Sequence, residues 1–345
     1  MKIATLIALG ALLSMPAGSS AATPRPRTGK TVVVQKASGA VFVQKRGSSK
    51  STRVTGATVV PLGSTVDATR GKVKLTSTHN RSGSKLQSAN FYDGAFTVTQ
   101  KPANSPVTDL TLAGGDFSGC SAILRRKGVF TAARSSRRRL WGSGKGRFRT
   151  RGRNGSATVR GTKWLTEDAC DGTGALVSHG KVDAQADEGL TYDLDEPNES
   201  VVFSCNTTPI PGISDLYCLA VLTRPKSGVH GFGIATFGTP QNDYELCMQR
   251  PDGTSKCEPY PFDTVSDPEI KSSGVGCFPA FSGTYVASWK IGGQALPGAL
   301  PFQAVASATP LCVGVPERAG DDPDNPPPGP TGKRRGARSA ARVGN

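Results

Sequence analysis

The chain has 345 residues, 42 of them Gly and eight of them Cys, and 42 Lys and Arg against 26 Asp and Glu give it a formal net charge of +16. Long apolar stripes of 3.6-residue period are missing, which argues against a helical bundle or a coiled coil. The three histidines are far apart and no C-x-x-C pair occurs. A zinc cluster is therefore not expected, and we predict no metal and no cofactor.

Residues 1–22 have the pattern of a secretory signal peptide. Lys2 precedes an apolar run over Ile3–Met15, and small residues follow at Ser20, Ala21 and Ala22. About thirteen apolar residues are too few to cross a bilayer of roughly 30 Å, so we expect a cleaved signal and no membrane span. The predicted location is extracellular or in the cell envelope, where an even number of cysteines indicates disulfides.

The charge changes sign along the chain. Thr23–Tyr192 holds 29 basic against 10 acidic residues, a net charge of +19, whereas Asp193–Gly320 holds 7 against 13, a net charge of −6. A chain of this length suits two domains of ordinary size. We therefore predict a basic β domain over 23–192, an acidic linker over 193–199, a six-cysteine β-sandwich over 200–318, and a disordered Pro-rich and basic tail over 319–345.

Short runs rich in Val and Thr, separated by turn residues, predict an all-β fold for both domains. In Lys72–Thr76 the lysines alternate with Val73 and Leu75, as expected of an antiparallel strand with one buried face. The predicted strands of the first domain are Thr31–Gln35, Ala40–Gln44, Thr65–Ala68, Lys72–Thr76, Ala95–Thr99 and Asp109–Leu112.

Several of these runs resemble the bacterial FecR-type domain. The resemblance covers about residues 30–185 and rests on Gly39–Val43, Val60–Ala68, Gly71–Thr76, Ala157–Trp164 and Val177–Val182. It implies an extracytoplasmic, β-rich module that senses or binds, without catalytic residues.

One segment is strongly basic, because Arg125–Lys163 contains fourteen Lys and Arg and no acid. On an extended strand, alternate residues would share one face about 6.6 Å apart, at roughly 3.3 Å per residue. We interpret the basic residues at alternate positions from Lys145 to Arg153 as a track for an anionic polymer. The alternative is a solvated edge strand protected by its charge. Trp141 and Phe148 either stack on a sugar or base, or pack in the core. The predicted ligand-binding residues are Lys145, Arg147, Arg149, Arg151, Arg153, Arg137, Arg138 and Arg139.

An acidic stretch follows the basic domain. Clustered carboxylates suit a calcium ion, but no D-x-D-x-D-G loop is present, so a solvated interdomain linker is the preferred interpretation. The seven acids are Asp183, Asp187, Glu188, Asp193, Asp195, Glu196 and Glu199.

The second domain contains a predicted hairpin. Tyr244–Arg250 and Thr254–Cys257 flank Pro251-Asp252-Gly253, which suits a type I turn closed by a left-handed glycine. A further strand is predicted to bury the alternate residues Tyr285, Ala287, Trp289 and Ile291. The strand rhythm and the cysteines are similar to those of small immunoglobulin-like sandwiches.

Disulfide pairing follows from the domain division. Cys120 and Cys170 are the two cysteines of the first domain and are predicted to pair. In the hairpin, Cys247 lies opposite Cys257, within reach of a disulfide. Elimination then pairs Cys205 with Cys218, and Cys277 with Cys312.

No catalytic motif is present. Neither G-x-S-x-G nor a complete phosphate-binding loop occurs, and His179 and His230 are read as structural or surface residues rather than general bases. We predict a secreted, non-enzymatic protein that binds an anionic cell-wall polymer or acidic glycan, with nucleic acid bound only as a non-specific polyanion. The alternatives are a structural envelope component without such a ligand and, third, a glycan-active enzyme.

Overall fold

The computed structural model describes residues 24–118, 120, 137–159, 161–187, 190–206, 216–224, 229–237, 244–259, 270–272, 277–278, 283–304 and 311–312. The predicted signal peptide and C-terminal tail lie outside these residues. Among the described residues, no helix combines the length and the apolar character needed to span a membrane.

The described elements are β-strands, which confirms the all-β prediction. The first group is β1 (Thr31–Gln44), β2 (Ser51–Arg53), β3 (Thr58–Pro61), β4 (Thr65–Thr78), β5 (Leu86–Tyr92), β6 (Ala95–Gln100), β7 (Thr108–Ala113), β8 (Arg138–Lys145) and β9 (Phe148–Arg151). The second group is β10 (Gly155–Val159), β11 (Thr162–Ala169), β12 (Gly172–His179), β13 (Val182–Ala186), β14 (Thr191–Leu194), β15 (Ser200–Asn206), β16 (Leu216–Arg224) and β17 (Val229–Phe237). The third is β18 (Tyr244–Gln249), β19 (Ser255–Pro259), β20 (Ile270–Ser272), β21 (Cys277–Phe278), β22 (Gly283–Ile291), β23 (Gln294–Ala295), β24 (Leu300–Ala304) and β25 (Leu311–Cys312).

The long antiparallel pair of β1 and β4 belongs to two layers of one folded sheet. Layer A continues from β4 through β5, β8, β11, β12, β15, β16 and β17 to β20. Layer B continues from β4 through β6, β7, β9, β10 and β13 to β14. The pairs are antiparallel except β7 with β9, which is parallel.

The two layers separate where the pair of β1 and β4 bends. Before the bend, Thr65–Asp67 pairs with β6, and after it Lys72–Thr78 pairs with β5. Gly39 lies opposite Gly71 between two register shifts of the β1–β4 ladder, and its φ of +63° is favourable for glycine. A Cβ on Gly39 would overlap the Arg70 carbonyl oxygen.

Aromatic side chains from both layers fill the space between them. Phe91 of layer A packs against Phe96 and Phe148 of layer B, with ring centroids 5.5 and 5.6 Å apart, and against Trp164 at 5.8 Å. All four rings are fully buried. The predicted inward side of Lys72–Thr76 is confirmed, since Val73 contributes to the same core.

The prediction of a solvated linker over 193–199 is wrong. Asp193 lies on β14, which pairs with β13, and Glu199 is fully buried. One Glu199 carboxylate oxygen accepts the Arg224 Nε–H at 2.8 Å, and the other accepts the main-chain N–H groups of Asp195 and Glu196. These acceptor contacts compensate the buried charge, and the sheet continues across the predicted boundary.

Strand β16 contributes to two hydrophobic cores. Its side chains at Cys218, Ala220 and Leu222 belong to the core between the layers. The alternate residues Tyr217, Leu219 and Val221 pack in a second core, formed with β17 and with the sheet of β19, β18, β22 and β24. The predicted buried positions of β22 are confirmed and include Trp289.

Three predicted disulfides are confirmed: Cys120–Cys170, Cys205–Cys218 and Cys247–Cys257. The hairpin register pairs Cys247 with Cys257, as predicted, and Gly253 has a φ of +86°. The backbone register of β21 and β25 places Cys277 opposite Cys312. The side chains of that last pair lie outside the described residues, so its disulfide stays a prediction.

The bend provides a test of the fold. We expect Gly39→Ala to lower the free energy of unfolding by about 1–3 kcal/mol, because a non-glycine residue at this φ is strained and its Cβ would overlap the Arg70 carbonyl. Urea denaturation measures the change. The matched control is Gly56→Ala, where a Cβ meets nothing within 4 Å, so its effect is expected to be neutral or slightly stabilising. Equal effects of the two substitutions would contradict the role given to the bend.

Candidate anion-binding face

The predicted basic track does not lie along one strand. Lys145 is the last residue of β8 in layer A, whereas Arg149 and Arg151 lie on β9 in layer B. The chain turns at Gly146 and Arg147 between them, and the Arg147 N–H donates to Gln87 Oε1 at 2.7 Å. The assumption of a single extended strand from Lys145 to Arg153 is therefore wrong.

The alternative of a solvated edge strand is also wrong in geometry. Strand β9 lies between β7 and β10 and pairs with both. Its charge therefore does not protect an exposed edge.

One acid is shared by the two arginines of β9 and compensates part of their charge. The parallel register places Asp109 of β7 beside Arg149. Arg149 donates from Nε to Asp109 Oδ1 at 2.5 Å and from Nη2 to Oδ2 at 3.1 Å, and Arg151 Nε lies 3.4 Å from the same Oδ1. The same row across layer B continues through Thr158 to two further acids, Asp183 and Asp193. The outer face of layer B is consequently mixed in charge.

Three consecutive arginines, one just before β8 and two at its start, are also paired. Arg137 contacts Glu167 at 2.6 Å, Arg138 contacts Asp168 at 2.7 Å, and Arg139 contacts Asp93 at 2.7 Å. Sequence reasoning missed these acids because Glu167 and Asp168 lie 30 residues away from their partners.

Asp168 is a buried centre of hydrogen bonding rather than a ligand group. Besides Arg138, it accepts the Arg153 main-chain N–H at 2.9 Å and the Thr173 hydroxyl at 2.6 Å. The Arg153 guanidinium lies over the Phe117 ring, 4.8 Å from its centroid. Arg138 and the main chain at Arg153 therefore fix local structure.

Among the eight predicted binding residues, Lys145, Arg147 and Arg153 are exposed, and their side chains have no acidic partner among the described residues, although the Arg153 guanidinium is held against Phe117. Lys145 belongs to a larger surface on the outer side of layer A. Three rows of cross-strand neighbours form it: Lys72, Tyr92, Trp141 and Leu165; then Lys74, Asn90, Ser143 and Lys163; then Thr76, Ser88 and Lys145. We call these eleven residues the lysine face.

The lysine face contains four lysines and no acid. The residues alternating with its members point inward and are buried, among them Val73, Phe91 and Trp164. The second row continues to His179, an exposed residue opposite Lys163. The side chain of His230 lies outside the described residues. Sequence reasoning placed Lys72 and Lys74 outward, but could not pair their strand with β5, β8 and β11.

Two aromatic rings hold two of the lysines in place. Tyr92 and Trp141 stack with ring centroids 6.2 Å apart and planes at 7°. Lys72 Nζ lies 4.8 Å from the Tyr92 centroid, and Lys163 Nζ lies 5.3 Å from the Trp141 centroid. These contacts are within the range of cation–π attraction. Trp141 is thus a half-buried surface residue, whereas Phe148, the other predicted stacking residue, is in the core.

The described acids of 183–199 do not converge on one point, and Glu188 lies outside the described residues. Glu199 is committed to Arg224 and Asp195 contacts Lys181 at 3.0 Å, while Asp183 and Asp193 face each other across β13 and β14. Burial, and then the charge and hydrogen bond of Asp183, raise the pKa of Asp193, with Lys181 acting in the opposite direction. Apart from the facing carboxylates of Asp183 and Asp193, this arrangement does not support a calcium site.

Comparisons with protein-family models, with curated proteins and with solved structures find no match for this chain.

The facing carboxyl groups predict a pH dependence. Because the folded-state pKa of Asp193 exceeds the ordinary value of 3.8, its contribution to stability is present below pH 3.8 and is lost as the pH rises through the raised pKa. We expect Asp193→Asn to stabilise the protein at pH 7 by a few tenths to about 1 kcal/mol, with the gain shrinking toward pH 3.8. Urea denaturation across this pH range measures it.

The control substitution has the opposite sign. Hydrogen bonds from Ser118 lower the pKa of Asp116, so its contribution is present above pH 3.8 and is lost as the pH falls. Asp116→Asn is expected to destabilise the protein at pH 7. If Asp193→Asn increased the free energy of unfolding equally at every pH, the gain could not come from the raised pKa of Asp193.

Proposed function

We propose that this chain is an exported, non-enzymatic module that binds an anionic polymer of the cell envelope or extracellular space, and that the lysine face is its contact surface. The observation that carries the proposal is the absence of any acid among the eleven residues of that face, next to four lysines. The FecR-like character of residues 30–185 and the signal peptide are parts of the same proposal.

The charge distribution favours the lysine face over the arginines of β9 as the contact surface. Arg149 and Arg151 share the Asp109 carboxylate, so a polyanion would have to compete with an ion pair already formed. Lys74 and Lys145 are exposed and have no acidic partner among the described residues. Their charge is available to attract a polyanion and release its counterions.

The extent of the face favours a polymer over a single small anion. Its lysines lie on β4, β8 and β11, with β5 between β4 and β8. Neighbouring strands are about 4.8 Å apart, so Lys74 and Lys163 are separated by roughly 14 Å at the backbone. One small anion cannot contact both ends, whereas an extended chain can.

The disulfides support the proposed location. Three are formed among the described residues, and such bonds persist in oxidising compartments outside the cytosol.

A pair of double variants tests the proposed surface. Lys74→Gln with Lys145→Gln removes two charges from the lysine face, and Arg149→Gln with Arg151→Gln removes two from layer B. Because each neutralised phosphate contributes about 0.7–0.9 to the slope of log affinity against log salt, the lysine variant is expected to lower the slope by roughly 1.4–1.8. The arginine variant is expected to lower it less, since the single Asp109 carboxylate already offsets part of the charge of that pair. Binding of a polyanion titrated with salt measures both.

Two results would contradict the proposal. Equal loss of slope in the two variants would indicate binding by net charge alone. No measurable binding of wild type to any polyanion at physiological salt would favour the structural-component alternative.

A further inference from the structure

We propose that the polymer recognised by the lysine face is an acidic polysaccharide rather than a polyphosphate chain. This inference rests on the proposed function and concerns the neutral residues of the same surface. Between the lysines lie four short polar side chains, contributed by Thr76, Ser88, Asn90 and Ser143.

These side chains form a contiguous patch. Asn90 and Ser143 are cross-strand neighbours, with Lys74 at one end of their row and Lys163 at the other. Thr76 and Ser88 occupy the adjacent row, which ends at Lys145. Their side chains are shorter than those of the surrounding lysines, and we call these four residues the floor of the lysine face.

The chemistry of the floor suits sugar hydroxyl groups. Hydroxyl and amide side chains both donate and accept hydrogen bonds, and the described residues offer no hydrogen-bond partner to the side chains of Ser88, Asn90 and Ser143. Sugar hydroxyls also donate and accept, so they satisfy both functions. The ionised oxygens of a polyphosphate only accept, which would leave the acceptor oxygens of this floor without a donor from the ligand.

The spacing of the lysines points the same way. A polyphosphate carries a charge on every unit and suits cations at neighbouring positions. Across the second row, two neutral residues separate Lys74 from Lys163. This pattern matches a polymer whose carboxylate or sulfate groups are separated by neutral, hydroxyl-bearing atoms.

The aromatic pair borders this patch and adds apolar contact. Tyr92 and Trp141 occupy the row next to Asn90 and Ser143, and both are half-buried. The accessible part of these side chains provides apolar surface for the C–H groups of a sugar ring. Cation–π contacts hold Lys72 and Lys163 against the same rings, which reduces the entropy lost when these lysines bind an anion.

The test compares two polymers of matched charge number, polygalacturonate and inorganic polyphosphate, bound to the full protein without its signal peptide. Asn90→Ala with Ser143→Ala removes polar groups but no charge. We expect this variant to bind polygalacturonate about fivefold to tenfold more weakly, with an unchanged salt slope and unchanged polyphosphate binding. The matched control is Thr111→Ala with Thr158→Ala on the outer side of layer B, which is expected to bind both polymers like wild type.

The outcomes separate this inference from the proposed function. If the protein binds polyphosphate as tightly as polygalacturonate, or if the Asn90 and Ser143 variant binds polygalacturonate like wild type, the polysaccharide assignment is overturned. A loss of slope in the Lys74 and Lys145 variant would then still support polyanion binding. If wild type binds neither polymer, both proposals are overturned. Urea denaturation of each variant distinguishes lost binding from lost folding.

Discussion

The bend of β1 and β4 at Gly39 and Gly71 decides which side chains face outward together. It allows one strand, β4, to pair with β5 after the bend and with β6 before it, so the sheet folds over its own aromatic core. Successive strands then join one layer or the other, and residues adjacent in the chain are placed on opposite sides of the molecule. Lys145 and Arg149 are separated in this way although only three residues lie between them.

This division also separates two kinds of charged surface. On layer A, lysines alternate with buried residues and no acid occurs in the three rows that they share. On layer B, Arg149 of β9 lies in a row with Asp109, Asp183 and Asp193. Among the described residues, the arginines at 137–139 and in β9 are therefore paired with acids, whereas Lys74 and Lys145 of layer A are not.

The sequence predicted those features that depend on local patterns. Alternation revealed the strands, and the turn at Gly253 set the register that pairs Cys247 with Cys257. The failures concern contacts distant in the chain. Arg149 meets Asp109 across 40 residues, and Glu199, read as part of a solvated linker, is buried against Arg224. Period-two reasoning assumes an unbroken strand, so it could not foresee that Gly146 ends one strand and sends the next into another layer.

Contact between the outer side of layer A and an anionic polymer would cover the amines of the lysine face. Acylation of lysine amines, followed site by site by mass spectrometry with and without polygalacturonate, tests it most directly. We expect the polymer to protect Lys72, Lys74, Lys145 and Lys163, while exposed lysines elsewhere, such as Lys50 and Lys101, keep their reactivity. Protection spread evenly over all exposed lysines, or confined to lysines outside the lysine face, would contradict it.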